Sequence, residues 1–441
     1  MLPKSLDGRQ KVGTCLQSSK YMSHLLPSSP PAYFNKITHR GIALLITLVI
    51  LALLTVFMTE FSFETKLETR GIQNYQASFK ARNAVKSMFK AVLEGLKGQD
   101  EVKFFREYIH NLLKLGTFGN EISFLNPPQP VRLPAGMIAD FPDVSFYTPY
   151  IRPIDHLYNL NRIQTPPNRT LNSETKSDVR RANQFINIVK KWSIPTNQQD
   201  VNAVSAQNVQ INIDEILPIY AAIFDWMDKG SVNYDSSIYG TIGVEKDSYS
   251  AADPEIEIKD GYLDLLSEVQ LIHGIHEKRI PLDFWKKDFT IYPVGTKFDP
   301  TEDFSLIKPR INVNLATYEE IIEFLAQFDQ NTNYFINYSQ ENYEDRYAQG
   351  FYQKREEIVE ELTKIPRSKL KNDDIKNKLR NITQYYSKSS DYFVAYSYWY
   401  EIYLKTEIDN VQAEVHAVVS VSRRKPDYSV EKLMIHDFLL R

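Results

Sequence analysis

The sequence predicts an α+β protein in which a long N-terminal helix packs on a small antiparallel sheet, with a large all-α domain inserted between them. Three observations indicate this class: an apolar run that continues into an amphipathic repeat, helical apolar spacing from about Thr170 to Ser387, and an apolar period of two after Ser390. With 441 residues and 43% apolar side chains, the chain has the length of two or three domains.

The first element is a segment suited to a membrane. Residues 41–59 contain no charged side chain, and as a helix they would span about 28 Å, close to the thickness of bilayer hydrocarbon. A buried core helix and a cleavable secretory signal are the alternatives, but only Thr47 and Thr55 interrupt the run and no small-residue cleavage site follows it. Because residues 1–41 carry six Lys/Arg against one Asp, we expect a cytoplasmic N-terminus and everything after Glu60 across the membrane.

The same helix is predicted to continue beyond the membrane as an amphipathic helix. Charged residues enter at Glu60, and Gly98 is a plausible stop, so one helix would run from Ile42 to about Lys97, roughly 84 Å. The apolar positions that repeat at helical spacing, and that we expect to pack on a globular head, are Val85, Met88, Phe89, Val92, Leu93 and Leu96.

The middle of the chain reads as helices separated by proline-marked loops. A short helical stretch around Phe104 to Leu115 precedes several prolines, and Pro166-Pro167 marks a boundary. Thr317 is predicted to cap a helix. Three apolar stripes at helical spacing follow Pro167: Val179, Ala182, Phe185, Ile186, Val189 and Trp192; Ile216, Leu217, Tyr220, Ile223, Phe224 and Met227; and Tyr318, Ile321, Ile322, Leu325 and Phe328.

The C-terminal part is predicted to be a three-stranded antiparallel meander. The first strand places alternate residues from Tyr392 to Leu404 on one face, with Ser397, Glu401 and Lys405 opposite. The second alternates from Ala413 to Val421 after a turn at Asp409-Asn410, and the third runs from Val430 to Ile435.

Charge and cysteine content exclude several functional classes. A single cysteine, Cys15, allows no intrachain disulfide and no cysteine-built zinc site. After Gly41 the chain has 46 Lys/Arg and 54 Asp/Glu, a net charge of −8, which disfavours nucleic-acid binding and favours protein partners. Catalysis is not expected, because no nucleophile, base or metal constellation of a hydrolase is recognisable.

Two further patterns are candidate sites. Asp225, Asp228, Asp235 and Asp247 could supply oxygen ligands to calcium, although solvated acids at a helix end would have the same pattern. The turn at Leu271-Ile272-His273-Gly274-Ile275 suits a helix-hairpin-helix module that binds a DNA backbone through its amides, but its flanks are acidic. His273 and His276 flank that glycine without a third ligand, which favours ordinary surface histidines over a metal pair.

The start of the apolar run resembles a prepilin peptidase site. Arg40-Gly41 stands directly before Ile42-Ala43-Leu44-Leu45, as a basic residue and glycine stand before the mature N-terminus in type IV pilins and pseudopilins. Most of these proteins have glutamate at the fifth mature position, which here is Ile46. A carboxylate inside the bilayer is expensive unless it is paired, and in the family it is thought to meet a neighbouring subunit's terminal ammonium. Isoleucine there suits a subunit at the end of a filament.

Further motifs resemble those of the K-type minor pseudopilins of type II secretion, the general secretion pathway protein K family. In chain order they are Tyr158-Asn159-Leu160-Asn161, Ala222-Ile223-Phe224-Asp225-Trp226-Met227-Asp228, the helix and turn from Leu266 to Ile275, and Ile311-Asn312-Val313-Asn314-Leu315-Ala316-Thr317. The resemblance implies a pilin-like head with an inserted helical domain and a structural role at the pseudopilus tip, which starts and caps the filament for export of folded proteins across the outer membrane.

It also implies specific partners and a location. The partners are the I- and J-type minor pseudopilins, other pseudopilus subunits and the prepilin peptidase, with methylation after processing. The location is the inner membrane, single pass, with the bulk of the chain periplasmic. Calcium in the inserted domain is implied as well, with Asp225 and Asp228 matching the family's positions. The implied domains are a leader at 1–41, a transmembrane segment at 42–59, an extended helix and first part of the head at 60–169, an inserted helical domain at 170–387 and C-terminal strands at 388–441.

Overall fold

A computed structural model describes residues 39–98, 101–112, 123–136, 138–163, 176–193, 213–228, 235–236, 241–243, 249, 256–293, 308–329, 343–364, 370–424 and 430–441. The chain forms two compact units, Met1–Gly71 and Ile72–Arg441. Helix α1, His39–Lys97, has residues in both units.

The other elements all lie in the second unit. The helices are α2 (Glu101–Lys103), α3 (Lys176–Lys190), α4 (Ile213–Met227), α5 (Ile275–Lys278), α6 (Leu282–Asp288), α7 (Tyr318–Ala326), α8 (Tyr343–Gln353), α9 (Arg355–Thr363) and α10 (Asn372–Leu379). The strands are β1 (Ser145–Phe146), β2 (Tyr150–Pro153), β3 (Tyr158–Asn159), β4 (Asp235–Ser236), β5 (Thr241–Ile242), β6 (Phe289–Thr290), β7 (Ile311–Asn312), β8 (Phe393–Val394), β9 (Trp399–Ile408), β10 (Val411–Arg423) and β11 (Val430–Leu440).

Helix α1 packs on the sheet through its last six turns, as its apolar stripe predicts. Val85 and Leu96 are fully buried, and Phe89 and Val92 are 5% exposed. At the N-terminal end of this contact the buried residues are alanines, which let the helix backbone approach the strands closely. The hydroxyl of Thr406 on β9 donates to the carbonyl of Ala81, with Oγ1 and O 3.0 Å apart. The helix ends at Lys97, directly before Gly98, as expected.

The main sheet has five strands in the order β1-β9-β10-β11, and β2 also pairs with β9. The β9–β10 hairpin turns at Asp409 and Asn410, whose φ angles of 48° and 69° are typical of the two central residues of a hairpin turn that matches strand twist. Tyr400, Ile402 and Leu404 are fully buried on the face that contacts α1. The third predicted strand is confirmed and extends to Leu440.

The first predicted strand starts later than its alternation indicates. Instead of running from Tyr392, the chain forms the short β8 and then bends, and β9 begins at Trp399. Two carboxylates cause the interruption, because the amide of Ser397 donates to Glu101 and the amides of the next two residues donate to Asp155 instead of to a neighbouring strand. Ser397, predicted to face outwards, is consequently fully buried.

A second apolar core is formed by residues between Tyr158 and Ile291. Helices α3 and α4 pack together, and Phe185 and Trp285 are fully buried at its centre. Thr317 caps α7 as predicted, and its hydroxyl accepts from the amide of Glu320 at 3.3 Å. Helices α7 to α10 contribute to the same core as the main sheet. The α+β class with a long helix, an antiparallel sheet and inserted helices is confirmed, while the domain boundaries at 170 and 387 stay predictions.

Candidate functional site

The segment predicted to span the membrane is the N-terminal part of α1. Among the described residues, α1 is the one helix long and apolar enough to cross a bilayer. Its large apolar side chains are exposed, for example Leu44 at 65% and Met58 at 75%. The hydroxyls of Thr47 and Thr55 donate to carbonyls of the preceding turn, at 2.9 and 2.7 Å. This part of α1 therefore fits a single-pass membrane anchor.

The residues of the predicted processing site lie in α1 as well. The helix begins at His39, so the Gly41–Ile42 bond and Arg40 before it are within its first turns. Ile46 is 52% exposed on the same helix. The side chain at the fifth position after Gly41 is thus an aliphatic group on an apolar surface.

The predicted calcium ligands are only partly brought together in the described residues. Asp225 and Asp228, three residues apart at the end of α4, are 0% and 8% exposed. Asp235 is in β4, which pairs with β5, and β5 contacts α4. Asp247 lies outside the described residues. No group of three or more His, Cys, Asp or Glu side chains suited to a metal occurs in the described part of the chain.

One residue near this acidic pair was not predicted from the sequence. A Cβ atom placed on Gly243, directly after β5, would overlap the carboxylate oxygen Oδ2 of Asp225. The absence of a side chain at Gly243 is what lets the hairpin approach Asp225. No sequence pattern indicates this contact, because glycines are also frequent in hairpins for their backbone freedom.

A buried ion pair joins the start of α2 to the end of β10. The carboxylate of Glu101 and the guanidinium of Arg423 are 2.9 Å apart, and both side chains are fully buried. Asn312 donates its amide to Glu101 at 3.1 Å and to the hydroxyl of Ser397 at 2.8 Å. Burial raises the pKa of Glu101, and the charge of Arg423 opposes that rise. The ion pair connects α2, which follows α1, to strand β10 of the main sheet. The hydrogen bond from Asn312 adds β7, which precedes α7, to the same connection.

A second carboxylate, Asp155, holds the start of β9. It accepts from the amides of Tyr398 and Trp399 at 3.0 and 3.2 Å. Burial raises the pKa of Asp155 to about 7, although these two hydrogen bonds oppose the rise. The carboxyl group therefore changes protonation near neutral pH in the folded protein.

This raised pKa predicts a specific pH dependence of stability. A carboxyl group that binds its proton more tightly when folded contributes stability that is complete below the unfolded pKa of about 4 and is lost as pH rises through 7. Asp155→Asn imitates the protonated form, so the unfolding free energy of the parent relative to this variant should fall by on the order of 2 kcal/mol between pH 5 and pH 8. Urea unfolding followed by tryptophan fluorescence measures it. A difference that is independent of pH would contradict the assignment.

The two Asn-x-Asn motifs that carry the resemblance have the same local geometry. In each, the side-chain oxygen of the first asparagine accepts from the amide of the second, at 2.9 Å for Asn159 and 3.0 Å for Asn312. The second asparagine then donates to two carbonyls from distant segments. Asn161 reaches Leu263 and Ile291, at 3.0 and 3.1 Å.

Asn314 makes the equivalent bridge, to the carbonyls of Leu370 and Ala395 at 2.9 and 3.0 Å. Both bridging asparagines are almost completely buried. Each motif thus connects three separate segments of chain. One motif lies in each of the two apolar cores. The repetition of the pattern is visible in the sequence and was the available signal for this shared role.

The turn that suggested DNA binding has its amides engaged within the protein. The amide of His273 donates to the hydroxyl of Tyr249 at 2.9 Å, that of Gly274 to the side chain of Glu277, and that of Ile275 to the carbonyl of Ile272 at 3.1 Å. His273 also pairs with Glu277, with Nδ1 and Oε1 2.7 Å apart. This geometry stabilises a helix start and gives no support to a phosphate-binding role.

Comparisons with known proteins show similarity to solved structures only at the level of the fold, not in sequence. No protein-family model matches the chain, and no curated protein matches it in sequence. Among solved structures, the chain is similar to one in the crystal structure of the GspK-GspI-GspJ complex from the enterotoxigenic Escherichia coli type 2 secretion system. The alignment covers 84% of this chain and 99% of that chain, with 14% sequence identity and a TM-score of 0.40.

Proposed function

We propose that this protein is a K-type minor pseudopilin of type II secretion, a structural subunit and not an enzyme. The observation that carries the proposal is the composition of α1. An uncharged apolar segment follows Arg40-Gly41, has Ile46 where most relatives have glutamate, and continues into a stripe that packs on an antiparallel sheet. The Asn-x-Asn motifs add support, because both are used structurally in the same way.

The mechanism we propose is assembly. Removal of residues 1–41 would free the amino group of Ile42, and the apolar part of α1 would then leave the lipid and pack against helices of other subunits. A carboxylate in place of the Ile46 side chain would be needed to pair with the terminal ammonium of a neighbouring subunit inside the apolar environment. Without it, this subunit is suited to the tip, with I- and J-type minor pseudopilins as neighbours and the other pseudopilus subunits added below.

The first experiment is mass spectrometry of the N-terminus of the protein recovered from membranes, with and without prepilin peptidase. We expect a peptide that starts at Ile42 only when the peptidase is present. Gly41→Val should retain the leader, because a branched side chain next to the scissile bond obstructs the protease. Gly71→Val is the matched control, since a Cβ at Gly71 meets no atom within 4 Å, and it should be processed normally.

An intact leader in both strains would overturn the proposal. The protein would then be a simple membrane-tethered domain, and hydrolysis by its exposed part would be tested next. Calcium binding in the inserted domain stays a prediction. Asp225 and Asp228 fit it in that both are buried carboxylates, three residues apart, which could act as oxygen ligands.

A further inference from the structure

The outward face of α1 in the second unit has an unusual charge distribution. Between Gly71 and Leu93 the chain has four Lys/Arg and no Asp or Glu. Three of these cations, Arg82, Lys86 and Lys90, follow one another at spacings of four residues and so occupy one face of the helix. All three are exposed, and their side chains make no ion pair or hydrogen bond with any other described residue.

Two aromatic residues extend the same face towards the N-terminus. Tyr75 and Phe79 are 74% and 60% exposed, and Phe79 is three residues before Arg82. At about 100° per residue, this face is opposite the buried stripe that includes Ala81 and Val85. We define Tyr75, Phe79, Arg82, Lys86 and Lys90 as the basic stripe.

The charge of the stripe indicates what covers it. Three exposed cations in a row repel another basic surface and attract carboxylates, and the i, i+4 spacing matches carboxylates at the same spacing on a second helix. The two exposed aromatic residues add apolar area at one end, which favours a protein helix with apolar side chains there.

We infer that the basic stripe of α1 is a docking face for a helix of a different membrane-anchored protein, one that carries carboxylates at i, i+4 and i+8 after an apolar segment. This inference rests on the proposed function, because it assumes that α1 assembles beside other helices. It adds to that function the chemistry by which the partner is selected.

A second copy of this chain is the simplest other occupant, and charge disfavours it. In a parallel pair without a shift, the stripe would face an identical set of cations. The chain has its own carboxylates at four-residue spacing, Glu60, Glu64 and Glu68, but each is 22 residues before its counterpart among Arg82, Lys86 and Lys90. Matching them requires a shift of about 33 Å, which is longer than the roughly 28 Å apolar run and would remove one copy from the bilayer.

The test measures binding of designed peptides to the full-length protein in nonionic detergent by fluorescence anisotropy at low salt. The probe is an alanine-based helical peptide with leucine at positions 1 and 5 and glutamate at positions 8, 12 and 16, the spacing of the stripe. We expect it to bind at least tenfold more tightly than the same peptide with glutamine in place of glutamate, and to weaken at high salt.

Charge reversal supplies the decisive variant. Arg82→Glu, Lys86→Glu and Lys90→Glu together should abolish binding of the glutamate peptide and create binding of a lysine version. The matched control reverses three other exposed cations, Lys287, Lys371 and Lys376, and should bind the glutamate peptide like the parent. All six positions are exposed, so melting temperatures should stay close to that of the parent.

Three results would overturn the inference. They are equal binding of the glutamate and glutamine peptides or none of either, charge-dependent dimerisation of the parent in sedimentation experiments, and binding to anionic phosphatidylglycerol vesicles without binding to the peptide. Each is independent of the Ile42 processing result. A processed protein that ignores the peptide would refute only the stripe, and an unprocessed protein that binds it would refute only the pseudopilin role.

Discussion

Replacement of Arg423 by methionine is expected to lower the unfolding free energy of the head by about 3 to 5 kcal/mol. Arg423 and Glu101 form a fully buried pair at 2.9 Å. Removal of the guanidinium leaves a fully buried carboxylate without its counter-charge, where either an unpaired charge or the uptake of a proton opposes folding. All four tryptophans are in the second unit, so the urea midpoint of their fluorescence in the full-length protein reports on the head.

Two companion variants isolate the cause. Arg132→Met removes an arginine that is also paired with a glutamate, Glu407 at 3.2 Å, but that is 56% exposed, and it should cost less than about 1 kcal/mol. Adding Glu101→Gln to Arg423→Met should recover a substantial part of the loss, because a neutral amide still bonds to Ser397 and needs no counter-charge. If Arg132→Met and Arg423→Met are equally destabilising, burial of the pair is not the reason.

Replacement of Asn314 by leucine is expected to cost about 3 kcal/mol, and Asn161→Leu a similar amount. Each asparagine donates to two carbonyls of distant segments, and each is at most 2% exposed. Leucine has a similar size but no donor, so two buried carbonyls lose their partners in each variant. Urea unfolding of the full-length protein measures the effect.

Two further variants test whether the lost hydrogen bonds are the cause. Asn377→Leu changes an exposed asparagine on α10 and should alter stability by no more than about 0.5 kcal/mol. Asn314→Asp keeps the shape but places a carboxylate oxygen against two carbonyls, so it should be at least as harmful as leucine. A well-tolerated Asn314→Asp would show that the bridge to Leu370 and Ala395 does not contribute.

The elements that the sequence predicts best are those whose pattern repeats over many residues. The stripe from Val85 to Leu96, the cap at Thr317 and the turn at Asp409-Asn410 are all present as expected. The predicted start of β9 was wrong, because alternation alone does not show which backbone amides donate hydrogen bonds to a neighbouring strand. Here the carboxylates of Glu101 and Asp155 accept hydrogen bonds from the amides at this point of the chain. Each of the two residues is more than 200 positions before β9 in the sequence.

The candidate sites follow the same division. Arg40, Gly41, Ile42 and Ile46 were predicted from the sequence alone, because a processing signal is a pattern of consecutive residues, and they stay a prediction. The acidic group at Asp225 and Asp228 was also identified, but its burial and the approach of Gly243 depend on how a hairpin packs on α4. The sequence alone does not show that the basic stripe faces outwards, because this depends on the burial of the opposite face of α1 in the tertiary structure.

The sequence by itself determined the long apolar N-terminal helix, the α+β class and the helical and strand periods, because hydropathy and periodicity act over neighbouring residues. Only the tertiary structure decided which distant groups meet: Glu101 with Arg423, Asp155 with the start of β9, and the asparagine bridges within each core. The physical reason is that a buried polar group must find a partner wherever packing places one. The position of that partner along the chain leaves no local pattern.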